Sequence, residues 1–199
     1  MQRIGILALQ GDFREHARAI ARLGAEPVEV RLPDQLADLA GLILPGGEST
    51  TMRRLLADYA LLEPLRERLA AGLPVLGTCA GAILLAREIA GEGPSPLGGI
   101  DIVVSRNAYG RQVDSFEADV EVPALGKPPL HAVFIRAPRI VEIGPGVEPL
   151  ARLGNGEVVA ARQGARLALT FHPELTDDLR LHQYFLRQIV GRDNASGAA

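Results

Sequence analysis

The only cysteine of the chain, Cys79, follows an apolar run and stands between Gly77 and Gly81. A cysteine flanked by small residues at a strand-to-helix turn has the Gly-x-Cys-x-Gly pattern of a nucleophile elbow. A thiol just ahead of a helix N-terminus also feels the positive end of the helix dipole, which favours the nucleophilic thiolate. The pattern predicts a cysteine that attacks a carbonyl carbon. The alternative is a structural cysteine packed as a small hydrophobe.

A cysteine nucleophile needs an acid/base partner and a group that orients this partner. His172 ends an apolar run and opens the sequence His172-Pro173-Glu174. Because Pro173 favours an extended backbone at His172, Glu174 is expected on the same side and within reach of the imidazole. The other three histidines are expected to have surface or packing roles: His16 and His182 in helices, and His131 at the start of a strand.

The anion that forms during attack on a carbonyl needs backbone N–H donors. The Ala80 N–H, next to the nucleophile, is one predicted donor. The Pro45-Gly46-Gly47 turn predicts a second, the Gly47 N–H, since glycines allow backbone conformations closed to other residues. The alternative is an ordinary strand-to-helix turn with Ser49 or Thr50 as N-cap, and the two roles are compatible.

Alternating strand-like and helix-like segments must position these residues. Strands are predicted over 3–9, 27–32, 41–45 and 75–78. Helices are predicted over 13–23, over 50–71 with an interruption before Pro64, and over 80–90. The apolar runs lack alternation, which indicates strands buried on both faces. We therefore predict an α/β fold with a doubly wound, mostly parallel sheet flanked by helices. Further strands are predicted over 100–106, 116–122, 131–136, 158–162 and 167–171 and form an added β-rich portion. A last helix covers 177–190. One domain over 1–190 and a flexible tail over 191–199 are expected.

Composition excludes several classes of protein. The chain has 199 residues and a formal net charge of −3, so no global basic field attracts nucleic acid. One cysteine excludes an intramolecular disulfide framework and a multi-cysteine zinc site. The N-terminal apolar stretch is too short for a signal h-region, and no stretch approaches about 18 apolar residues. We therefore expect a cytoplasmic protein that does not contact membranes.

The combined motifs resemble the class I, triad-type glutamine amidotransferases, which have a flavodoxin-like fold. That family pairs a Pro-Gly-Gly oxyanion strand with a Gly-x-Cys-x-Gly elbow and a His-x-Glu. Within it, the sequence is most similar to the glutaminase subunits of pyridoxal 5'-phosphate synthases. The similarity is carried by segments that span nearly the whole chain: residues 5–11, 42–52, 77–81, 106–107, 110–117, 134–138 and 171–176.

The resemblance implies roles for individual residues. Cys79 would be the nucleophile, His172 the acid/base and Glu174 its orienter, with Gly47 and Ala80 forming the oxyanion hole. The glutamine pocket would be lined by Gly47, Glu48, Ser49, Arg106, Ile135 and Arg136. Gln10 and Gly46 are expected to face a partner. No metal or organic cofactor is required.

The implied reaction is hydrolysis of L-glutamine to L-glutamate and ammonia. The ammonia would pass to a separate synthase subunit that makes pyridoxal 5'-phosphate (vitamin B6), with the glutaminases docked around a synthase core. Three other interpretations remain open from the sequence. They are another triad amidotransferase or γ-glutamyl hydrolase, a redox-sensing relative that oxidises Cys79, and a purely structural partner subunit.

Overall fold

A seven-stranded sheet forms the centre of the computed structural model, which describes residues 1–106 and 115–191. Its strand order is β11-β12-β13-β4-β3-β1-β2. The five strands β2, β1, β3, β4 and β13 run parallel. Strands β12 and β11 are added antiparallel at the β13 edge. The strands of this sheet are β1 (Arg3–Leu7), β2 (Glu26–Val30), β3 (Gly41–Leu44), β4 (Val75–Thr78), β11 (Glu148–Arg152), β12 (Val158–Gln163) and β13 (Arg166–Leu169).

Both faces of this sheet are buried, which explains the absence of alternation in the sequence. In β3, Leu42 and Leu44 belong to one apolar cluster and Ile43 to the other. Helices α2, α3 and α4 pack on the first face, and α1 and α5 pack on the second. The five α-helices of the described residues are α1 (Phe13–Arg22), α2 (Ser49–Asp58), α3 (Leu62–Ala70), α4 (Ala80–Leu85) and α5 (Arg180–Tyr184).

The predicted β-rich portion is divided in the structure: its last two segments are β12 and β13 of the central sheet, and the others belong to two small sheets. One has the order β10-β7-β5-β6 and the other pairs β8 with β9. The first packs in the same apolar cluster as α2 to α4, and the second packs on the face of α1. Their strands are β5 (Ala86–Ile89), β6 (Gly93–Pro94), β7 (Ile100–Ser105), β8 (Phe116–Val120), β9 (Leu130–Phe134) and β10 (Arg139–Ile143).

Four neighbouring strands bring the chemically interesting segments to one edge. Since β13, β4, β3 and β1 are adjacent and parallel, their carboxyl ends lie side by side. Close packing of α4 on this edge requires Gly81, where a Cβ atom would overlap the carbonyl oxygen of Leu44. This is the edge where ligands bind in open α/β sheets.

The predicted fold class is confirmed, but strands β10 and β11 were not predicted, and two helices differ from their predictions. The helix predicted over 80–90 ends at Leu85, and Ala86–Ile89 is a strand of the small sheet. The helix predicted over 177–190 begins at Arg180 and continues as a π-helix over Phe185–Val190. The single domain over 1–190 stays a prediction, and the tail lies, except for Gly191, outside the described residues. No helix in the described ranges has the length and hydropathy needed to cross a lipid bilayer.

Candidate active site

Cys79 occupies the sharp turn between β4 and α4. Its backbone has φ +48° and ψ −106°, a strained conformation for a residue with a side chain. The Cys79 N–H donates to the carbonyl oxygen of Leu169 on β13 at 2.9 Å, which ties the turn to the neighbouring strand. The thiol is 5% exposed, and its Sγ lies 3.7 Å from the carbonyl oxygen of Ile135. The elbow therefore holds a nearly buried thiol at the sheet edge.

His172 and Glu174 follow the end of β13 and contact each other directly. The imidazole Nδ1 lies 2.7 Å from Oε1 of Glu174, and both residues are buried. The contact was predicted, but Glu174 reaches the imidazole through a 3-10 turn over Pro173–Leu175 rather than through an extended chain. Since Nδ1 faces Glu174, the other ring nitrogen, Nε2, remains for the thiol.

The electrostatic surroundings favour a protonated His172. Burial lowers the pKa of this imidazole, but hydrogen bonds with Asp12, Cys79 and Glu174 outweigh burial and raise the pKa to about 12. His172 is thus an imidazolium at neutral pH and can pair with a thiolate at Cys79. Because α4 has only six residues, its dipole is smaller than that of the predicted helix.

The predicted oxyanion loop is held by the loop that follows β1. The Asp12 N–H donates to the Gly46 carbonyl oxygen at 3.1 Å, and the Glu48 N–H donates to Oε1 of Gln10 at 2.8 Å. Gly46 is buried against His172, whose ring would be overlapped by a Cβ atom at this position. Gln10 is partly exposed. Gly46 thus supports the imidazole, and the partner-facing role of Gln10 and Gly46 stays a prediction.

A cavity of about 200 Å³ opens beside the thiol. Five of the six residues predicted to line a glutamine pocket contribute to it, and Ile135 approaches Sγ through its carbonyl oxygen. Ala80, the second predicted oxyanion donor, is the first residue of α4, where N–H groups have no partner within the helix. The cavity is lined by Gly47, Glu48, Ser49, Thr50, Cys79, Ile83, Arg106, Arg136 and Pro138.

The charged residues of this cavity differ in how they are held. Arg106 donates to Oγ of Ser49 at 3.1 Å and to Oγ1 of Thr50 at 2.9 Å, while Glu92 accepts from its Nε at 2.8 Å. The Glu48 carboxylate caps α2. The hydroxyl of Thr51 and the N–H groups of Thr51 and Thr50 donate to it and lower its pKa. Arg136 is exposed at the cavity mouth. Arg106 and Glu48 therefore shape the cavity, and Arg136 is the more accessible cation.

One cluster in the described part of the chain has the composition of a metal site. The ligand atoms of Asp12, His172 and Glu174 lie within 4.8 Å of one another. The imidazole Nδ1 in this cluster lies 2.7 Å from Glu174 and 3.4 Å from Asp12, and the raised pKa of His172 keeps that nitrogen protonated. A protonated nitrogen cannot bind a metal ion, so the cluster is a hydrogen-bonding network.

Sequence reasoning missed four residues of the site. Asp12 and Glu92 contact His172 and Arg106, respectively. His16 and His182 were expected in surface or packing roles, and both are fully buried. His16 lies beside Glu174, and His182 contacts His16. The helical spacing gave a signal for His16, because it stands four residues before Ile20 and three after Phe13 on the apolar face of α1. Predicted motif residues 107 and 110–114 lie outside the described residues.

The fold and the site together define a triad-type glutamine amidotransferase. A family model described as the SNO glutamine amidotransferase family matches residues 6–191, and the chain belongs to this family. The chain is 60% identical over 188 residues to pyridoxal 5'-phosphate synthase subunit PdxT of Pelotomaculum thermopropionicum, covering 94% of this chain and 95% of that protein. It is 58% identical to the PdxT of Frankia casuarinae, with 98% of both chains covered.

Solved structures agree with this assignment. A crystal structure of a glutamine amidotransferase superposes with a TM-score of 0.87 at 54% identity, covering 94% of this chain and 98% of that one. The structure of PurLQS from Thermotoga maritima superposes with a TM-score of 0.75 at 17% identity, covering 94% and 98%, and supports the fold alone.

Proposed function

We propose that this protein hydrolyses L-glutamine to L-glutamate and ammonia through a thioester at Cys79, and delivers the ammonia to a synthase subunit that makes pyridoxal 5'-phosphate. The arrangement of Cys79, His172 and Glu174 beside a cavity with an exposed arginine carries this proposal. A redox sensor would need a reactive thiol but no aligned acid/base pair. The family membership and the similarity to PdxT proteins favour this activity over a γ-glutamyl hydrolase.

The first half of the reaction releases ammonia. The Cys79 thiolate attacks the side-chain amide carbon of glutamine, and N–H groups of Gly47 and Ala80 stabilise the oxyanion. The His172 imidazolium gives its proton to the amide nitrogen. The C–N bond then breaks and ammonia leaves. A γ-glutamyl thioester remains on Cys79, and His172 is left neutral.

The second half regenerates the resting site. Neutral His172 takes a proton from water, and the resulting hydroxide attacks the thioester carbon. The C–S bond breaks, glutamate leaves, and Cys79 returns to the thiolate paired with the imidazolium. Glu174 accepts the Nδ1–H throughout, which holds the ring so that Nε2 faces the thiol.

Substrate orientation depends on the two arginines in different ways. Arg106 is committed to Ser49, Thr50 and Glu92, so it braces the α2 N-terminus against the β5–β6 connection. Arg136 is exposed at the cavity mouth, where its guanidinium can pair with the free α-carboxylate of glutamine. The remaining wall, Glu48 and Ser49, sets the width available to the side-chain amide.

Delivery of ammonia requires a partner docked at the sheet edge. Ammonia becomes protonated in water, so an enclosed path must begin where the leaving amine departs. The β1–α1 loop with Gln10 borders the oxyanion loop at this edge. We place the synthase contact there, in an assembly with glutaminases around a synthase core, and expect docking to raise glutaminase activity.

Glutamate release from glutamine tests this function. Wild type and Cys79→Ala are compared with and without the synthase subunit, with Cys79→Ser as a matched variant that keeps a weaker nucleophile. Cys79→Ala is expected to release no glutamate above background. Full activity in Cys79→Ala would overturn the nucleophile assignment, and an unchanged rate on adding synthase would overturn the docking claim.

A further inference from the structure

Two buried histidines stand behind the triad and have no step in the reaction described above. His16 on α1 and His182 on α5 are both fully buried. Nδ1 of His16 lies 2.9 Å from Nε2 of His182, and their ring centroids are 5.1 Å apart. Imidazole rings are polar, so their complete burial at the back of a catalytic site needs a reason.

The second nitrogen of His16 faces the triad carboxylate. Its Nε2 lies 3.3 Å from Oε2 of Glu174 and 3.2 Å from Oγ1 of Thr78. Glu174 is therefore placed between two imidazoles, with His172 at Oε1 and His16 at Oε2. Among the described residues, Oε2 of Glu174 and Nδ1 of His182 have no well-aligned hydrogen bond. Nε2 of His16 has hydrogen-bond geometry with Oγ1 of Thr78. Its 3.3 Å approach to Oε2 is an electrostatic contact between a ring nitrogen and a carboxylate oxygen that accepts no hydrogen bond from the described residues.

Protonation of the two rings follows from their burial. Burial is the largest cause that lowers the pKa of His16 well below its usual value. The neighbouring imidazoles of His182 and His172 lower it further, because a proton on His16 would be repelled by a proton on either ring. Burial likewise lowers the pKa of His182 to about 4. Both rings are neutral at pH 7, so each carries one N–H. If His16 donates from Nε2, its Nδ1 must accept from the Nε2–H of His182. One tautomer of each ring satisfies these contacts.

We infer that His16 is a positioning residue of the triad: its Nε2–H supports the Glu174 oxygen that His172 does not use, and His182 fixes the required tautomer. The inference rests on the proposed function for its catalytic consequence. A neutral donor suits this place, because a second cation beside Glu174 would weaken the stabilisation of the His172 imidazolium. The pair thus holds the carboxylate without competing for its charge.

The groups around this network come from every element packed against it. Thr78 lies at the end of β4, and Asp12 approaches the triad from the β1–α1 loop. Glu174 also borders a shallow groove on the α1 side. The ionisable groups that line this groove with it are Glu15, Arg18, Arg22 and Asp177. They line the outer side of the turn, whereas His16 meets Glu174 inside the core.

Two substitutions of similar polarity separate the N–H contact from packing. In His16→Gln the amide nitrogen can occupy the place of Nε2, whereas in His16→Asn the shorter side chain reaches only the place of Nδ1. With synthase present, His16→Asn is expected to lower kcat roughly 10-fold to 100-fold, the range that loss of an outer-shell hydrogen bond costs in metal sites. KM should change little, and His16→Gln should recover most of the lost kcat.

The single cysteine provides a second measurement in the isolated chain. Alkylation of Cys79 by iodoacetamide reports the thiolate, and no other thiol competes. Loss of the His16 donor raises the pKa of Glu174 and lowers that of His172, so the thiolate forms at higher pH. His16→Asn should raise the pH at which the alkylation rate is half-maximal by about 0.5 pH unit or more, and His16→Gln should raise it less.

Specific outcomes would overturn the inference. One is a His16→Asn variant whose kcat and alkylation profile equal those of the wild type. The other is an equal loss of kcat in His16→Asn and His16→Gln, accompanied by equally lowered melting temperatures. If His16→Asn does not fold, His182→Gln and His182→Asn repeat the comparison at the second ring. Equal kcat values and equal alkylation profiles in these two variants would also reject the inference. An alkylation shift without any glutaminase activity in wild type would instead reject the proposed function and leave the positioning role intact.

Discussion

The two sides of Glu174 differ although both are buried and both present an imidazole. On one side, hydrogen bonds with Asp12, Cys79 and Glu174 raise the pKa of His172 to about 12. On the other, burial lowers the pKa of His16 and brings that of His182 to about 4. The difference teaches that burial alone does not decide the charge of a histidine. On the reacting side, His172 has hydrogen bonds with two acidic side chains, whereas on the supporting side the hydrogen-bond partners of His16 are the neutral Thr78 hydroxyl and the His182 ring.

Replacing the shared carboxylate should have the largest effect, because Glu174 is the residue that separates the two sides. In Glu174→Gln the amide can donate to His172 and so favour the wrong tautomer. We expect kcat to fall about 10⁴-fold, as for the corresponding Asp→Asn change in a serine protease triad. Glutamate release with synthase present measures this loss, with circular dichroism as the control for folding. A loss below about tenfold would contradict the role of the carboxylate.

Displacing His172 tests the reacting side alone. A Cβ atom in Gly46→Ala overlaps the His172 ring and must push it away from the thiol. We expect kcat to fall about 100-fold, since a misplacement of about 1 Å costs this much. Gly154→Ala is the matched control, because no heavy atom lies within 4 Å of a Cβ at Gly154 and its φ is not in the left-handed region. Equal activity of the two variants would refute the contact.

Acid titration tests the supporting side. A histidine whose folded pKa lies below its unfolded value of about 6.5 stabilises the fold less as pH falls from about 6.5 towards the folded pKa. For His182 this window runs from 6.5 to about 4. The free energy of unfolding should fall by about 2 to 3 kcal/mol across it.

Chemical denaturation at each pH measures this dependence, and His182→Gln is the comparison because it has no titrating ring at that position. The difference in unfolding free energy between wild type and His182→Gln should narrow as the pH is lowered through the window. A constant difference between pH 7 and pH 4 would show that the ring is not held neutral.

The smallest effect is expected at the cavity wall, outside both sides of Glu174. Glu92→Gln removes one partner of a partly exposed ion pair with Arg106. Such pairs contribute about 1 kcal/mol at most, so KM for glutamine should rise about fivefold or less while kcat stays within about twofold. Glu63→Gln, which disrupts the exposed Arg66 ion pair outside the cavity, is the control. If Glu92→Gln changed kcat more than KM, Glu92 would act on the catalytic step rather than on the cavity wall, contrary to our prediction.

The sequence predicted the reacting side far better than the supporting side. Cys79, His172 and the Gly46-Gly47 turn follow strands, so their meeting at one edge follows from parallel topology. His16 lay on the apolar face of a helix, and helical spacing alone could not show that α5 brings His182 to meet it. The apolar run after Ala80 was also ambiguous: its first six residues are helical and the next four form β5. Short apolar runs cannot distinguish these states without tertiary contacts.

The place of β13 in the central sheet has a consequence for synthesis of the protein on the ribosome. β13 pairs with β4, yet it comes from near the end of the chain and carries His172 immediately after it. A nascent chain that has completed the nucleophile elbow therefore still lacks the acid/base. Long-range strand pairing is slow, so this step comes late in folding. Incomplete or prematurely terminated chains should accordingly be unable to degrade the cellular glutamine pool.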